Sequence, residues 1–243
     1  MKNIEFEKRN KAHIRLMSRD KLLREKTRAW FVHSFRYEYP YHFTWLSRPI
    51  IQFPQDIITV QEIIWKVKPD LIIETGIAHG GSLILSASML ELIGQKGDVL
   101  GIDIDIREHN RKEIEKHSMH KRITMIEGSS IDKRVVKRVY KFAEGKKRIM
   151  VLLDSKHTHD HVLKEMMFYS PLVTKGSYMV VFDTMIEDMP KKFFDRPWDK
   201  GNNPKTAVWK FLKTNNRFKI DRAIESKLLI TSCPDGYLKC IKD

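Results

Sequence analysis

Cysteine is almost missing from this chain: two residues, Cys233 and Cys240, among 243. That is too few for a disulfide framework, and it points to a reduced, cytoplasmic compartment. No apolar run approaches the roughly 20 residues that span a bilayer, so no transmembrane segment is expected. The opening "MKNIEFEKRNK" is charged and lacks the apolar centre of a secretory leader. Internal repeats and low-complexity tracts are also missing. With 42% hydrophobic and 10% aromatic residues, disordered and collagen-like compositions are excluded.

Charge of one sign does dominate. Forty-five Lys and Arg stand against 31 Asp and Glu, a net +14 at pH 7. The basic residues are nevertheless mixed with acids, as in "DIREHNRKEIEKH", and no long single-sign block or Gly/Arg tract occurs. Neither an RNA-recognition nor a zinc-finger pattern is present, so a nucleic-acid partner is not expected. Weak steering of an anionic partner is the functional reading of this surface.

The chain reads as two regions. Residues 1–48 form a charged, aromatic arm, with a helix in "SRDKLLREKTRAWFVHSF" that Ser18 is expected to cap. "RYEYPYHFTWLSRP" follows, too rich in proline and rings for a regular helix. This arm packs on the main domain or on a second subunit in a homo-oligomer, or forms a lid over a cleft. Residues 49–243 make the main domain. Strand candidates at 70–76, 98–105, 122–128, 148–154 and 177–184 alternate with helical stretches. Strands apolar almost throughout and joined by helical crossovers imply a doubly wound parallel α/β sheet covered on both faces. The tail departs from that alternation. "KLLITSCP" and "GYLKCIKD" flank Asp235-Gly236, a strong hairpin signal. Five parallel strands closed by an antiparallel hairpin is the Rossmann-like arrangement that class I methyltransferases use.

Ligands of such sheets sit beyond the C-terminal strand ends, and there the sequence delivers carboxylates. The first strand ends in Glu74-Thr75-Gly76, with Gly80, Gly81 and Ser82 opening the next helix. No Gly-Lys-Ser/Thr follows, so this turn is not a P-loop, and its spacing is not GxGxxG. Glu74 would repel a pyrophosphate but suits a ligand carrying an ammonium and a sulfonium. Asp103, ending the second strand, can bind two ribose hydroxyls, and Ser129 and Ser130 can flank an adenine. With Gly76, Gly80, Ser82 and Asp154, these residues form a set that fits S-adenosylmethionine better than NAD.

The fourth strand runs into "LLDSKHTHDHV", whose histidines lack the spacing of a zinc-binding helix. No His-x-Asp/Glu pair with a distant histidine marks a facial-triad iron site. Thr158 can cap the following helix, leaving His159 and His161 as surface. Asp154 and Asp183 end neighbouring strands and can hold one hard divalent ion through oxygen ligands. Bound Mg²⁺ would acidify and orient a substrate hydroxyl, with His157 as general base.

"FTWLSRPIIQFPQDI", "KPDLIIETGIAHGGSLILSASML", "VLGIDIDIR", "GSSID", "LLDSKHTHDHVLKEM", "SPLVTKGSYMVVFDT", "RPWDKGNNPKTAVWKFL" and "GYLK" together resemble the cephalosporin hydroxylase family. That family has the fold of S-adenosylmethionine-dependent methyltransferases and is related to macrocin- and rhamnosyl-type O-methyltransferases. The resemblance implies cofactor binding by Glu74, Gly76 and Asp103, with Ser129 or Ser130 near the adenine. It also implies a metal site at Asp154 and Asp183. Relatives often carry Glu-Asp where this chain has Phe182-Asp183, which leaves Thr184 as a replacement ligand or the metal lost. His157 falls where catechol-type enzymes place a catalytic lysine. The expectation is a Mg²⁺-assisted O-methyltransferase acting on a hydroxyl of a sugar or glycosylated metabolite. An RNA methyltransferase, an iron-dependent hydroxylase and a non-catalytic member remain open.

Overall fold

The computed structural model describes residues 4–243, so the first three residues of the charged opening lie outside it. Two helices come first, α1 (Ile4–Arg19) and α2 (Lys21–Ser34). Asp20 caps α2, its carboxylate accepting from the Leu23 N–H at 2.9 Å. The expected cap, Ser18, instead donates its hydroxyl to the Arg15 carbonyl at 2.9 Å, inside α1. The helix signal therefore continues upstream of Ser18, and the break falls one residue before α2. Helix α1 buries no residue, whereas α2 inserts Phe31 against Phe53, Met185, Ile186 and Met189 of the main domain.

After a short ribbon, β1 (Thr44–Trp45) with β2 (Arg48–Pro49), comes α3 (Pro54–Val67). Parallel strands then alternate with helices: β3 (Leu71–Thr75), α4 (Gly81–Ile93), β4 (Asp98–Asp103), α5 (Glu108–Lys116), β5 (Ile123–Glu127) and α6 (Lys133–Ala143). The second half continues with β6 (Ile149–Leu153), α7 (His159–Tyr169), β7 (Tyr178–Val181), α8 (Pro204–Thr214), β8 (Phe218–Ile220), α9 (Arg222–Lys227) and β9 (Tyr237–Cys240). Strand order in the seven-stranded sheet is β5-β4-β3-β6-β7-β9-β8. β3 pairs in parallel with both β4 and β6, so the chain reverses its direction of travel across the sheet at β3 and β6.

The pleat divides the core. Alternate strand residues Ile72, Val99, Met150 and Val180 pack with Val60, Ile64, Leu83 and Leu90 of α3 and α4. Their neighbours Ile73, Leu100, Val151 and Val181 pack on the opposite face with Val139, Met166 and Phe211 of α6, α7 and α8. That two-sided burial is why β6 and β7 read as unbroken apolar runs, and why β3 is apolar up to Glu74.

The antiparallel closure is present but not where the hairpin signal placed it. β9 lies between β7 and β8 and is antiparallel to both. "KLLITSCP" forms no strand; its Lys227 ends α9 and the rest is loop and turn. Its polar groups serve the buried Asp56 carboxylate on α3, which accepts from the Ser232 N–H at 2.7 Å, the Ser232 hydroxyl at 3.0 Å and the Tyr237 hydroxyl at 2.7 Å. The Ser232 N–H donates to Asp56 and the Cys233 N–H to the Thr231 hydroxyl, so neither is free for a ladder. Asp235 and Gly236 do form a turn, leading into β9. Among the described residues no helix is long and apolar enough to cross a membrane.

Candidate active site

A cleft of about 600 Å³ opens over the C-terminal ends of the parallel strands, where the crossovers from β3 and β6 lead in opposite directions and a doubly wound sheet binds ligands. Gly76, Asp103, Ser129, Ser130, Asp154, His157 and Asp183 all reach it. Glu74, Gly80, Ser82 and Thr184 do not line it.

Gly76 takes a left-handed φ of +91°, and a Cβ there would sit 2.0 Å from the Asp154 carbonyl oxygen. Only glycine fits such an approach. The turn that follows is held by Asp103, whose Oδ2 accepts from the N–H groups of Ile77 at 2.7 Å and Ala78 at 3.3 Å. Asp103 thus shapes the glycine turn as well as facing the cleft. Glu74 lies beneath the turn, 2% exposed. The Ser82 hydroxyl donates to its Oε1, while Oε2 has no hydrogen-bond partner. Burial pushes the Glu74 carboxyl up to about 8, against the lowering effect of the Ser82 hydroxyl. Ser82 therefore belongs to Glu74, not to the cleft surface.

Next to the Gly76 turn, at the ends of β6 and β7, donor atoms of Asp154, His157 and Asp183 all lie within 4.8 Å of one another. Burial drives the Asp154 carboxyl well above its ordinary range, and the charges of Asp183 and Glu74 add to the effect. Asp183 sits at a left-handed φ of 54°, a position that Asp tolerates better than most residues. The His157 Nε2 is 3.3 Å from the Asp183 Oδ2, and Trp198 meets the imidazole edge-on at 4.8 Å. Two carboxylates and an imidazole brought this close suit a divalent cation. The third ligand suggested by sequence, Thr184, is not available. Its hydroxyl donates to the Pro234 carbonyl at 2.6 Å, and it is fully buried. The chain turns into a 3₁₀ segment from Thr184 to Asp188, which points that side chain at the C-terminal loop. Phe182 is buried among apolar neighbours and offers no donor.

Neither His159 nor His161 is surface decoration. The His159 Nδ1 is 2.8 Å from the Thr206 hydroxyl. The His161 Nε2 lies 3.1 Å from the Ser130 Oγ and 3.2 Å from the Ser155 Oγ. Thr158 makes no side-chain cap; the Asn202 side chain accepts from the His159 N–H at 3.0 Å in its place. The overlooked signal was the four-residue spacing of His157, His161 and Glu165, which puts His161 and Glu165 on one helix face. Tyr41, Phe194 and Arg196 also line the cleft. Burial and the Asp183 charge push the Tyr41 phenol up, and Arg196 opposes them. These three residues come from the arm and from the loop before α8, where composition alone gives no hint of a shared cavity.

The profile of the family described as Rhamnosyl O-methyltransferase/CmcI matches residues 37–241. The chain belongs to that family. As a Rhamnosyl O-methyltransferase/CmcI member, it is an S-adenosylmethionine-dependent methyltransferase. A Rhamnosyl O-methyltransferase of Mycobacterium bovis is 31% identical over 188 residues, covering 75% of this chain and 72% of the relative. Among solved structures, cmcI-D160 Mg-SAM superposes with a TM-score of 0.58 at 16% identity, over 83% of this chain and 78% of that one. The O-methyltransferase TomG from Streptomyces achromogenes, in complex with SAM, gives 0.54 at 14% identity, over 83% and 82%. At these identities the structural likeness concerns the fold, which is that of class I O-methyltransferases.

Proposed function

We propose that this Rhamnosyl O-methyltransferase/CmcI member transfers the methyl group of S-adenosylmethionine to a hydroxyl of a sugar or glycosylated metabolite, with a divalent cation assisting. The observation that carries the reading is the convergence of Asp154, His157 and Asp183 donors within 4.8 Å, in the same cleft as the Gly76 turn. The sugar acceptor is carried over from relatives such as the mycobacterial Rhamnosyl O-methyltransferase.

The cleft is of the size that small-molecule sites have, about 300–1,000 Å³. The unpartnered Oε2 of Glu74 lies beneath the turn and suits a ligand with a positively charged end, because a buried carboxyl without a partner gains most from a nearby cation. The Gly76 turn and Asp103 would shape the methionine and ribose positions, with Ser129 and Ser130 at the adenine. Bound S-adenosylmethionine supplies an electrophilic methyl on sulfur, and a cation such as Mg²⁺ supplies Lewis acidity to the acceptor oxygen. Asp154 and Asp183 would hold the cation. A hard ion takes oxygen ligands, which leaves the imidazole to accept a proton. The His157 Nε2, 3.3 Å from the Asp183 Oδ2, would take the proton of the acceptor hydroxyl. Tyr41, Phe194 and Trp198 wall the acceptor side and exclude water.

Calorimetry with S-adenosylmethionine, with and without Mg²⁺, tests the reading. Saturable binding is expected in both titrations, and the cation is expected to be needed for turnover with a glycoside acceptor. No binding heat under either condition would falsify it.

A further inference from the structure

Glu165 on α7 is wholly buried, and none of the chemistry above uses it. Its Oε1 accepts the Ser155 hydroxyl at 2.7 Å, and its Oε2 has no partner. The His161 Nε2 lies 3.5 Å from the same Oε1, 3.2 Å from the Ser155 Oγ and 3.1 Å from the Ser130 Oγ. This is not a nucleophilic triad. In a triad the acid holds one ring nitrogen and the hydroxyl faces the other; here one nitrogen faces all three groups.

With the Ser155 hydroxyl donating to Glu165, a count of hydrogens gives one consistent direction to the remaining contacts. A serine hydroxyl has one hydrogen, and Ser155 spends its hydrogen on Glu165. The contact between Ser155 and His161 is then attractive only if Nε2 carries the imidazole hydrogen. The Ser130 Oγ meets that same N–H as an acceptor, so its own hydrogen remains free. Ser130 lines the cleft, and its main chain is held from behind, since the Tyr169 hydroxyl donates to its carbonyl at 2.6 Å.

We propose that Glu165 and His161 are positioning residues that set the Ser130 hydroxyl as a hydrogen-bond donor to the adenosine half of the cofactor. The inference rests on the placement of Ser130 at the adenine proposed above. The chain of command runs from the carboxylate on α7, through Ser155 and the imidazole, to the loop after β5. It ties the loops after β5 and β6 together beneath the ligand. Glutamine at 165 keeps the shape but can donate to Ser155, whose hydrogen can then go to the His161 Nε2; that removes the N–H that holds the Ser130 oxygen as an acceptor.

The test combines calorimetry and steady-state kinetics with S-adenosylmethionine. Ser130→Ala and Glu165→Gln should each weaken cofactor binding about tenfold, the loss of one good hydrogen bond. The change should appear in the KM for S-adenosylmethionine, with kcat and the acceptor KM nearly unmoved. The double variant should bind no worse than Ser130→Ala, because Glu165 acts through Ser130. His161→Gln, which keeps an N–H donor, should retain affinity that His161→Leu loses. In the wild type, ¹⁵N spectra should show the His161 imidazole hydrogen on Nε2. Additive losses in the double variant, a fall in kcat at constant KM, or the Nδ1–H form would each overturn the proposal. Should Glu165→Gln not melt cooperatively, the two His161 variants and Ser130→Ala decide it. A wild type that binds no S-adenosylmethionine would sink the functional reading itself. A wild type that binds, with Ser130→Ala binding equally well, sinks this inference alone.

Discussion

Gly76 and Asp154 meet backbone to backbone: a Cβ on Gly76 would lie 2.0 Å from the Asp154 carbonyl oxygen. The Asp154 N–H donates to the Thr75 carbonyl at 2.9 Å, so the glycine turn and the acidic strand end form one rigid piece. The glycine turn and the Asp154 end of the cleft are thereby set at a fixed separation. Gly76→Ala should lose about 2–4 kcal/mol of stability from a strained φ and steric overlap together. Urea denaturation measures it, and cofactor affinity should fall in parallel. An alanine variant of unchanged stability would show that the two strand ends can part.

Desolvation, with the charge of Asp183 adding to it, holds the Asp154 carboxyl well above its ordinary range. Its folded-state pKa is elevated, so its ionised form weakens the ligand-free protein as pH rises above the ordinary carboxylate range. Asp154→Asn should therefore melt higher than the wild type at neutral pH without ligands, while turnover drops by about 100-fold or more. Thermal melts and initial rates check both halves. Unchanged turnover and unchanged cation dependence would remove Asp154 from the chemistry.

Glu74 provides a separate pH signature. Its carboxyl moves from 4.5 to about 8 on folding, chiefly by burial. Between those limits the native state keeps a proton that the unfolded chain releases, so this group costs stability progressively as pH rises. Glu74→Gln should remove that slope. The stability difference in favour of the variant should grow by a few kcal/mol from pH 5 to pH 8 in ligand-free protein. An equal difference at both pH values would contradict the buried charge.

Asp56 fastens α3 to the C-terminal loop through Ser232 and Tyr237. Asp56→Ala would strand three buried donors, and a loss of about 3 kcal/mol or more is expected. Hydrogen exchange should localise the loosening to residues 228–237. Protection unchanged in that segment would mean that the loop is held by its apolar contacts alone.

The parallel half of the sheet was legible because its strands are buried on both faces. Each predicted span from 70–76 to 177–184 contains an observed strand, trimmed by a few residues at its ends. The strand-end carboxylates were legible as positions, because an acid closing an apolar run marks where the strand leaves the core. The hairpin at Asp235-Gly236 misled, because local turn chemistry carries no information about Asp56, some 175 positions earlier. Thr184 misled because proximity in sequence to Asp183 does not fix which way a side chain leaves a 3₁₀ turn.

By itself, the sequence determined the fold class, the glycine turn and the acids at the strand ends. Periodicity and residue type dictate those locally. Only the tertiary structure decided which of these groups meet. It paired His157 with Asp183, turned Thr184 and Ser82 away from the cleft, and joined Ser130 and Ser155 through His161 and Glu165. It also brought Tyr41 of the arm and Trp198 of a distant loop to one cavity. Such meetings depend on where crossovers return the chain, and their energies come from desolvation and from contacts between segments far apart in sequence, which no local pattern encodes.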